Sequence, residues 1–333
     1  MSVRRPGVSQ SAGLREIQVS AGTAAVLGLL DLKMDTSPTT AYLLLGGRCL
    51  MNCGFCAQAR DSTASALYLS RITWPPFPLE ETAGRIAQAF AQGSLRRACL
   101  QVTVGPHDFE QALEVVLTLR RHSPIPIDVS ILPNSMDEVR RLFGAGVNHI
   151  GFGLDAACER VFRLVKGGSW RRSLEMIEET AEAFPGRAAV HLIVGLGETE
   201  QEMVERIAWM HQRGITVGLF AFTPLRGTGM EQLPAPALSH YRRMQAARYL
   251  ICHGLARLSD FTFDEGGRLT DIALPAWRRL LEDGKAFETS GCPDCNRPYY
   301  NERPAGPMYN YPRPLSAEEA QQAIEEMELA GGA

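Results

Sequence analysis

GGRCLMNCGFCAQAR, residues 46–60, follows directly on the apolar run 41–45, AYLLL. An apolar run that stops at paired glycines reads as a buried strand ending in a turn. That turn carries Cys49, Cys53 and Cys56 in a CxxxCxxC spacing. Soft thiolates clustered this tightly suit an iron–sulfur cluster. A four-iron cluster normally takes four cysteines, so a local set of three leaves one iron open, as in catalytic metal centres. The plainer alternative is a zinc knuckle or an unrelated cysteine loop.

Working outward, β-rich runs at 41–45, 98–104, 125–131, 148–154, 188–195, 215–222 and 255–263 alternate with helical stretches at 80–91, 110–121, 135–143, 170–184, 200–212 and 237–253. Met203, Ile207 and Met210 share one helix face and read as core. Such alternation predicts an α/β fold with a parallel sheet and crossover helices. With a weaker eighth unit, 269–274 and then 277–281, it fits a TIM-type (β/α)8 or slightly incomplete barrel. The site of such a barrel lies at the carboxyl ends of the strands, where the cysteine loop also falls. The apolar run 24–30 reads as a helix closed by Asp31 and Lys33. The expected division is an N-terminal helical extension over 1–40, the barrel over 41–285 and a C-terminal extension over 286–333.

The chain has 333 residues, 45% hydrophobic and 21% charged, with a formal net charge of −3. That is the composition of a soluble globular protein. It offers no basic field for nucleic acid or an anionic membrane, and neither is expected as a partner. The run 24–30 is far too short to span a bilayer, and the polar N-terminus does not read as a signal peptide. Eight cysteines without a secretory signal point to metal binding in a reducing, cytoplasmic setting.

The segment SGCPDCNRPYYNERPAGPMYNYPRPL, residues 290–315, breaks the pattern. It holds six prolines from Pro293 to Pro314, and Tyr299, Tyr300, Tyr309 and Tyr311 are half of the eight tyrosines. Proline at this density forbids helix and favours a stiff wrapping path. Ser316 and Glu319 form a capping box that opens a final helix over 317–329. The pair Cys292 and Cys295 admits three readings. A redox dithiol wants a following helix, which Pro298 stops. A zinc site takes four ligands, and no histidine follows His253. The third reading is a cluster completed by a distant cysteine: Cys99, Cys158 or Cys252. Strand alternation puts Cys99 with Gln101 and Thr103 on one polar face, which suits a barrel lumen. Cys158 and Cys252 read as small core residues on helices.

The cysteine motif, with the aromatic Phe55 before its third cysteine, resembles the signature of the radical S-adenosylmethionine (AdoMet) enzymes. The resemblance implies a [4Fe-4S] cluster whose open iron chelates the amino and carboxylate groups of AdoMet, with Phe55 beside the cofactor. One electron then splits the sulfonium to give a 5′-deoxyadenosyl radical. The stretch 42–263 further resembles biotin synthase. VGLGETEQE, 194–202, is similar to that enzyme's adenine-backing segment, which implies Gly195 and Glu198 at the cofactor. GLDAA, 153–157, implies Asp155 at the ribose hydroxyls, and Thr103 and Gly105 would stand near the methionine moiety. ARLS, 256–259, implies Arg257 as a possible cluster ligand, and Cys99 matches one auxiliary-cluster cysteine. The other two auxiliary positions hold Val129 and a residue near Ala189, which do not bind iron.

That departure, together with the CPDCNRPYYNERP tail, resembles the two-component lipoyl synthases. The resemblance implies sulfur insertion into an octanoyl chain on a protein lysine. The partners would be an octanoylated lipoyl-carrier protein, a second radical AdoMet component and a low-potential electron donor. A second, auxiliary [4Fe-4S] cluster on Cys99, Cys292 and Cys295, with Arg257 or Ser290 as a possible fourth ligand, would give up the sulfur. The expected lumen is lined by Cys99, Thr103, Val129, His191 and Ile193, with the tail laid across its mouth. Lys166, Arg171 and Arg172 are candidates for the AdoMet carboxylate, and His191 for a base or a hydrogen-bonded core residue. The tail tyrosines are expected to pack over the barrel rim. The alternatives are a biotin synthase-like enzyme with another substrate and a non-catalytic cluster carrier, against which the GLGET loop and the barrel argue.

Overall fold

The computed structural model describes residues 14–302 and 306–330. Most of the polar N-terminal stretch and Pro304 of the tail lie outside them. The strands are β1 (Glu16–Val19), β2 (Thr40–Leu45), β3 (Tyr68–Leu69), β4 (Ile72–Thr73), β5 (Pro76–Pro78), β6 (Arg97–Val102), β7 (Ile127–Ser130), β8 (His149–Asp155), β9 (Ala188–Val194), β10 (Thr216–Ala221), β11 (Phe261–Phe263) and β12 (Leu269–Ile272). The helices are α1 (Ala21–Val26), α2 (Leu79–Ala91), α3 (Asp108–His122), α4 (Met136–Gly144), α5 (Glu159–Val165), α6 (Trp170–Ala183), α7 (Glu200–Gln212), α8 (Leu238–Cys252) and α9 (Ala317–Glu325).

The main sheet runs β10-β9-β8-β7-β6-β2-β1-β5, with β2 and β6 to β10 parallel and β1 and β5 antiparallel. Six parallel strands joined by helices make the incomplete form of the expected barrel. The seventh and eighth units read from 255–263 and 269–274 are corrected. Only β11 and β12 form there, and they pair as an antiparallel hairpin outside the main sheet. The stretch 277–281, expected as a helix, is a 3-10 turn. The N-terminal extension is not simply helical either, because β1 pairs with β2 and β5. Its helix starts earlier than read, where the Ser20 side chain accepts from the Thr23 N–H, and ends at Val26.

Alternation sorts the strand residues. Ala41, Leu43, Ala98, Leu100, Ile127 and Val129 are buried in the hydrophobic core. Tyr42, Cys99, Asp128, Asp155, His191 and Phe220 all line one cavity. One face of six strands can share a cavity only if the sheet curls around it. Val129, expected in the lumen, is therefore one residue out of phase, and Asp128 faces inward in its place.

The C-terminal tail closes the open side between β10 and β2. Ser290 Oγ accepts the Leu219 N–H of β10 at 2.9 Å, and Arg297 donates to Leu219 O at 3.4 Å. On the other flank the Arg297 N–H donates to Tyr42 Oη at 2.8 Å, and Arg97 Nε donates to Pro293 O at 2.9 Å. Thr40 Oγ1 donates to Asp294 O at 3.0 Å. Thr40 and Arg97 open their strands, so this part of the tail sits at the amino end of the barrel and not across its mouth as expected. Asn301 then donates to Ala221 O, at the far end of β10, at 2.8 Å. The tail thus supplies partners to a sheet edge that would otherwise leave backbone groups unpaired. Tyr300 and Tyr309 are buried in this packing. Helix α8 ties down the terminus: Arg242 bonds Glu326 and the carbonyls of Met308 and Tyr309, while Arg243 pairs with Glu200 and bonds Met327 O.

Candidate active site

The cysteine loop is pinned at both ends. The Cys49 N–H donates to Gln58 O at 2.8 Å, and the Leu50 N–H to Val104 O at 2.8 Å. The Gly54 N–H donates to Val165 O at 2.7 Å, and Gly54 O accepts from the Met230 N–H at 2.9 Å. Where the loop leaves β2, Gly46 has φ +102°, and a Cβ there would lie 2.1 Å from Thr103 Oγ1. Only glycine permits that turn. Cys49 Sγ accepts from the amides of Met51 at 3.4 Å and Val104 at 3.3 Å. Amide donors aimed at sulfur are the environment that tunes iron–sulfur centres. Burial pushes the Cys53 thiol up to about 12, with Lys166 opposing and Asp155 adding. Burial likewise pushes Cys56 up to about 11. The metal-free chain holds both as neutral thiols near neutral pH, and metal binding must release their protons.

Asp155 ends β8 with φ +66°. Lys166 Nζ lies 2.6 Å from Asp155 Oδ2 and also bonds Gly153 O. Burial alone would lower the lysine, but Asp155 and Cys53 outweigh it and leave it raised. Lys166 therefore stands at the loop. Arg171 and Arg172 do not, since both are exposed and bond Glu175 and Asn134 O. In the turn after β9, Gly195 has φ +99° and its N–H donates to Glu198 Oε1 at 2.6 Å, while the Leu196 N–H donates to Oε2 at 2.9 Å. Glu198 thus holds the shape of the glycine turn. Thr103 Oγ1 donates to Leu45 O at 3.2 Å, and the Gly105 N–H donates to Asp108 Oδ2 at 3.2 Å, so both shape the ground beside the cysteine loop.

One cavity of about 190 Å³ joins the two cysteine sets, with Phe55, Cys56 and Asp155 on its wall together with Cys99, Cys292 and Cys295. Ile193, Phe220 and Phe222 give it apolar surface. On neighbouring strands Tyr42 pairs with Cys99, Cys99 with Asp128, and Asp128 with His149, forming one rung around the barrel wall. The Cys99 thiol is pushed well up by burial, then by Asp128 and Cys295, with Arg297 and Arg97 opposing. Burial, Asp128, Cys295 and Cys99 raise Cys292 in the same way. Cys295 Sγ lies 3.5 Å from Tyr42 Oη. Cys99 of β6 and Cys292 and Cys295 of the tail thus line one cavity, which puts three soft ligands on its wall.

Arg257 does not meet them. It is exposed before β11, where its N–H bonds Asp260, and so does not fill the ligand role expected of it. Cys158 and Cys252 pack against the core away from the cavity wall. His191 lines the cavity, its ring 5.3 Å from that of Phe220. Burial, helped by Arg297, lowers it to about 4, so it is neutral at physiological pH. Sequence reasoning missed Asp128, Arg97 and Arg297. An acid at an alternate position of an otherwise apolar strand, IDVS, was the available signal for the first. For Arg297, whose guanidinium lies 3.7 Å over the Phe220 ring, no local pattern existed.

Among the described residues no helix is long and apolar enough to cross a membrane. Residues 43–210 match the family model described as the Radical SAM superfamily. The chain is 24% identical over 227 residues to a lipoyl synthase of Symbiobacterium thermophilum, covering 65% of this chain and 67% of that protein. It is 27% identical over 258 residues to a biotin synthase of Pelotomaculum thermopropionicum, covering 74% and 76%. In fold it is similar to methylornithine synthase, with a TM-score of 0.51 at 13% identity over 65% of this chain and 62% of that one. It is also similar to HydG, a maturase of the [FeFe]-hydrogenase, with a TM-score of 0.51 at 13% identity over 64% and 50%. The chain thus spans about half to two thirds of those solved structures.

Proposed function

Because the chain belongs to the radical S-adenosylmethionine superfamily, whose members use a [4Fe-4S] cluster and AdoMet, we propose that it is a sulfur-inserting enzyme of the lipoyl synthase type. Its substrate would be an octanoyl chain on a carrier-protein lysine, and a second radical AdoMet component and a low-potential electron donor would be its partners. The observation that carries this reading is the single cavity walled by Cys56 together with Cys99, Cys292 and Cys295.

Cys49, Cys53 and Cys56 would hold the AdoMet cluster, and Cys99, Cys292 and Cys295 an auxiliary cluster that is consumed as the sulfur source. Bound there, the first cluster and AdoMet would supply 5′-deoxyadenosyl radical chemistry, the removal of a hydrogen atom from an unactivated carbon. The chain's own residues do the positioning. Lys166 and Asp155, paired beside Cys53, offer a cation for the methionine carboxylate and a carboxylate for the ribose hydroxyls. The Gly195 turn, held by Glu198, would back the adenine. Ile193, Phe220 and Phe222 give the alkyl chain an apolar, water-poor wall, which a reactive primary radical requires. His191, kept neutral by burial, adds no charge to that wall.

The test is anaerobic turnover of the reduced protein with AdoMet and an octanoylated carrier domain, followed by mass spectrometry of the lysine. Sulfur on the octanoyl chain, lost in Cys292→Ala while 5′-deoxyadenosine is still released, supports the reading. Deoxyadenosine without any thiolation, even with the second component present, moves the enzyme to another substrate.

A further inference from the structure

Asp128 is 3% exposed, and its two carboxylate oxygens are treated unequally. Oδ1 receives Arg97 at 2.8 Å and His149 Nδ1 at 2.9 Å. Oδ2 is buried with no geometric hydrogen-bond partner among the described residues, and the Cys292 thiol, a weak donor, is the group that stands beside the carboxylate. A bare buried carboxylate oxygen costs free energy unless something satisfies it. Asp128 also stands directly opposite Cys99 in the β6–β7 register. Its carboxylate lies with Cys292 Sγ and a His149 ring nitrogen in a group whose ligand atoms are all within 4.8 Å of one another.

From this geometry we infer that Asp128 Oδ2 is the fourth protein ligand of the auxiliary cluster held by Cys99, Cys292 and Cys295. The inference rests on the two-cluster reading above. The alternatives are occupied or distant: Ser290 Oγ already takes the Leu219 N–H, and Arg257 lies exposed outside the cavity. Arg97 and His149 then serve as positioning residues. Both bond Oδ1, which leaves Oδ2 as the oxygen available to iron. Carboxylates that ligate metals are themselves held by hydrogen bonds of this kind. A carboxylate is also a harder ligand than thiolate, so it marks one iron of the cluster as different from the three held by cysteine.

The experiment isolates this cluster in a full-length variant with Cys49, Cys53 and Cys56 changed to Ala. After anaerobic reconstitution, iron, sulfide and electron paramagnetic resonance are measured with Asp128 intact, with Asp128→Asn and with Asp128→Cys. The parent should hold about four irons. Asp128→Asn should fall to about three irons with the signal of an oxidised three-iron cluster, or lose the cluster. Asp128→Cys should restore about four irons, because a thiolate replaces the carboxylate at the same position. Four irons and an unchanged signal in Asp128→Asn overturn the ligand assignment while leaving the auxiliary cluster intact. Loss of iron in both variants overturns it too, by making the aspartate merely structural. No iron in the parent overturns the auxiliary cluster itself, and the ligand with it.

Discussion

Lys166 Nζ and Asp155 Oδ2 lie 2.6 Å apart beside the three-cysteine loop, with only 11% and 14% of the two side chains exposed. Removing one partner strands the other's charge in a poorly solvated place. Lys166→Met should therefore destabilise the metal-free chain by about 3 kcal/mol in urea unfolding. Lys166→Met combined with Asp155→Asn should cost at least about 1 kcal/mol less than the sum of the single changes. Strict additivity would mean that the pair is not coupled.

The buried His191 makes stability depend on pH. Burial lowers its folded pKa to about 4, below the unfolded value near 6.5, so the unfolded chain binds the proton more readily. The stabilising effect of keeping the ring neutral is complete above about pH 6.5 and is lost as pH falls toward 4. Between pH 7 and pH 5 the wild-type chain should lose about 2 kcal/mol more unfolding free energy than His191→Gln. Equal losses would place the ring in contact with water.

How much of this was legible beforehand depends on the length of the signal. Helices α2, α3, α6, α7 and α8 and the six parallel strands announce themselves because each carries a full period of apolar residues. β7 has only four residues but sits in the longer run 125–131, whereas β1 and β5, at four and three, have no such extension, and their place in the sheet depends on distant partners. The error at 255–263 has a local cause. Arg257 and Asp260 close a 3-10 turn inside that run, and Gly267 at φ +74° turns the chain back, so DEGG is a hairpin turn and not the exit of a barrel strand. The cysteine sets were visible as spacing. That Asp128 faces them while Val129 does not depends on strand phase, which a one-residue shift inverts.

Gly46 sets where the cysteine loop leaves β2. Gly46→Ala would force a Cβ into Thr103 Oγ1 and strain a positive φ, at about 1–3 kcal/mol for the backbone alone. After reconstitution this variant should hold about half of the wild-type iron, because only the loop cluster depends on that turn. Wild-type iron content would show that the loop tolerates a different exit.

A tyrosine hydroxyl is one of the points that hold the tail to the barrel. Tyr42→Phe removes the acceptor of the Arg297 N–H and the neighbour of Cys295 Sγ. It should destabilise the chain by about 1–3 kcal/mol, as for a buried donor left unpaired. Limited proteolysis should then cut first within 290–302. An unchanged melting temperature and cleavage pattern would mean that the tail is anchored by its other contacts alone.

The two-cluster reading stands or falls on an iron and sulfide count of the anaerobically reconstituted wild-type chain beside the variant with Cys49, Cys53 and Cys56 changed to Ala. About eight irons falling to about four establishes a loop cluster and a second one on the cavity's other sulfurs. About four irons falling to none leaves a single-cluster radical enzyme, and sulfur donation from Cys99, Cys292 and Cys295 has to be abandoned.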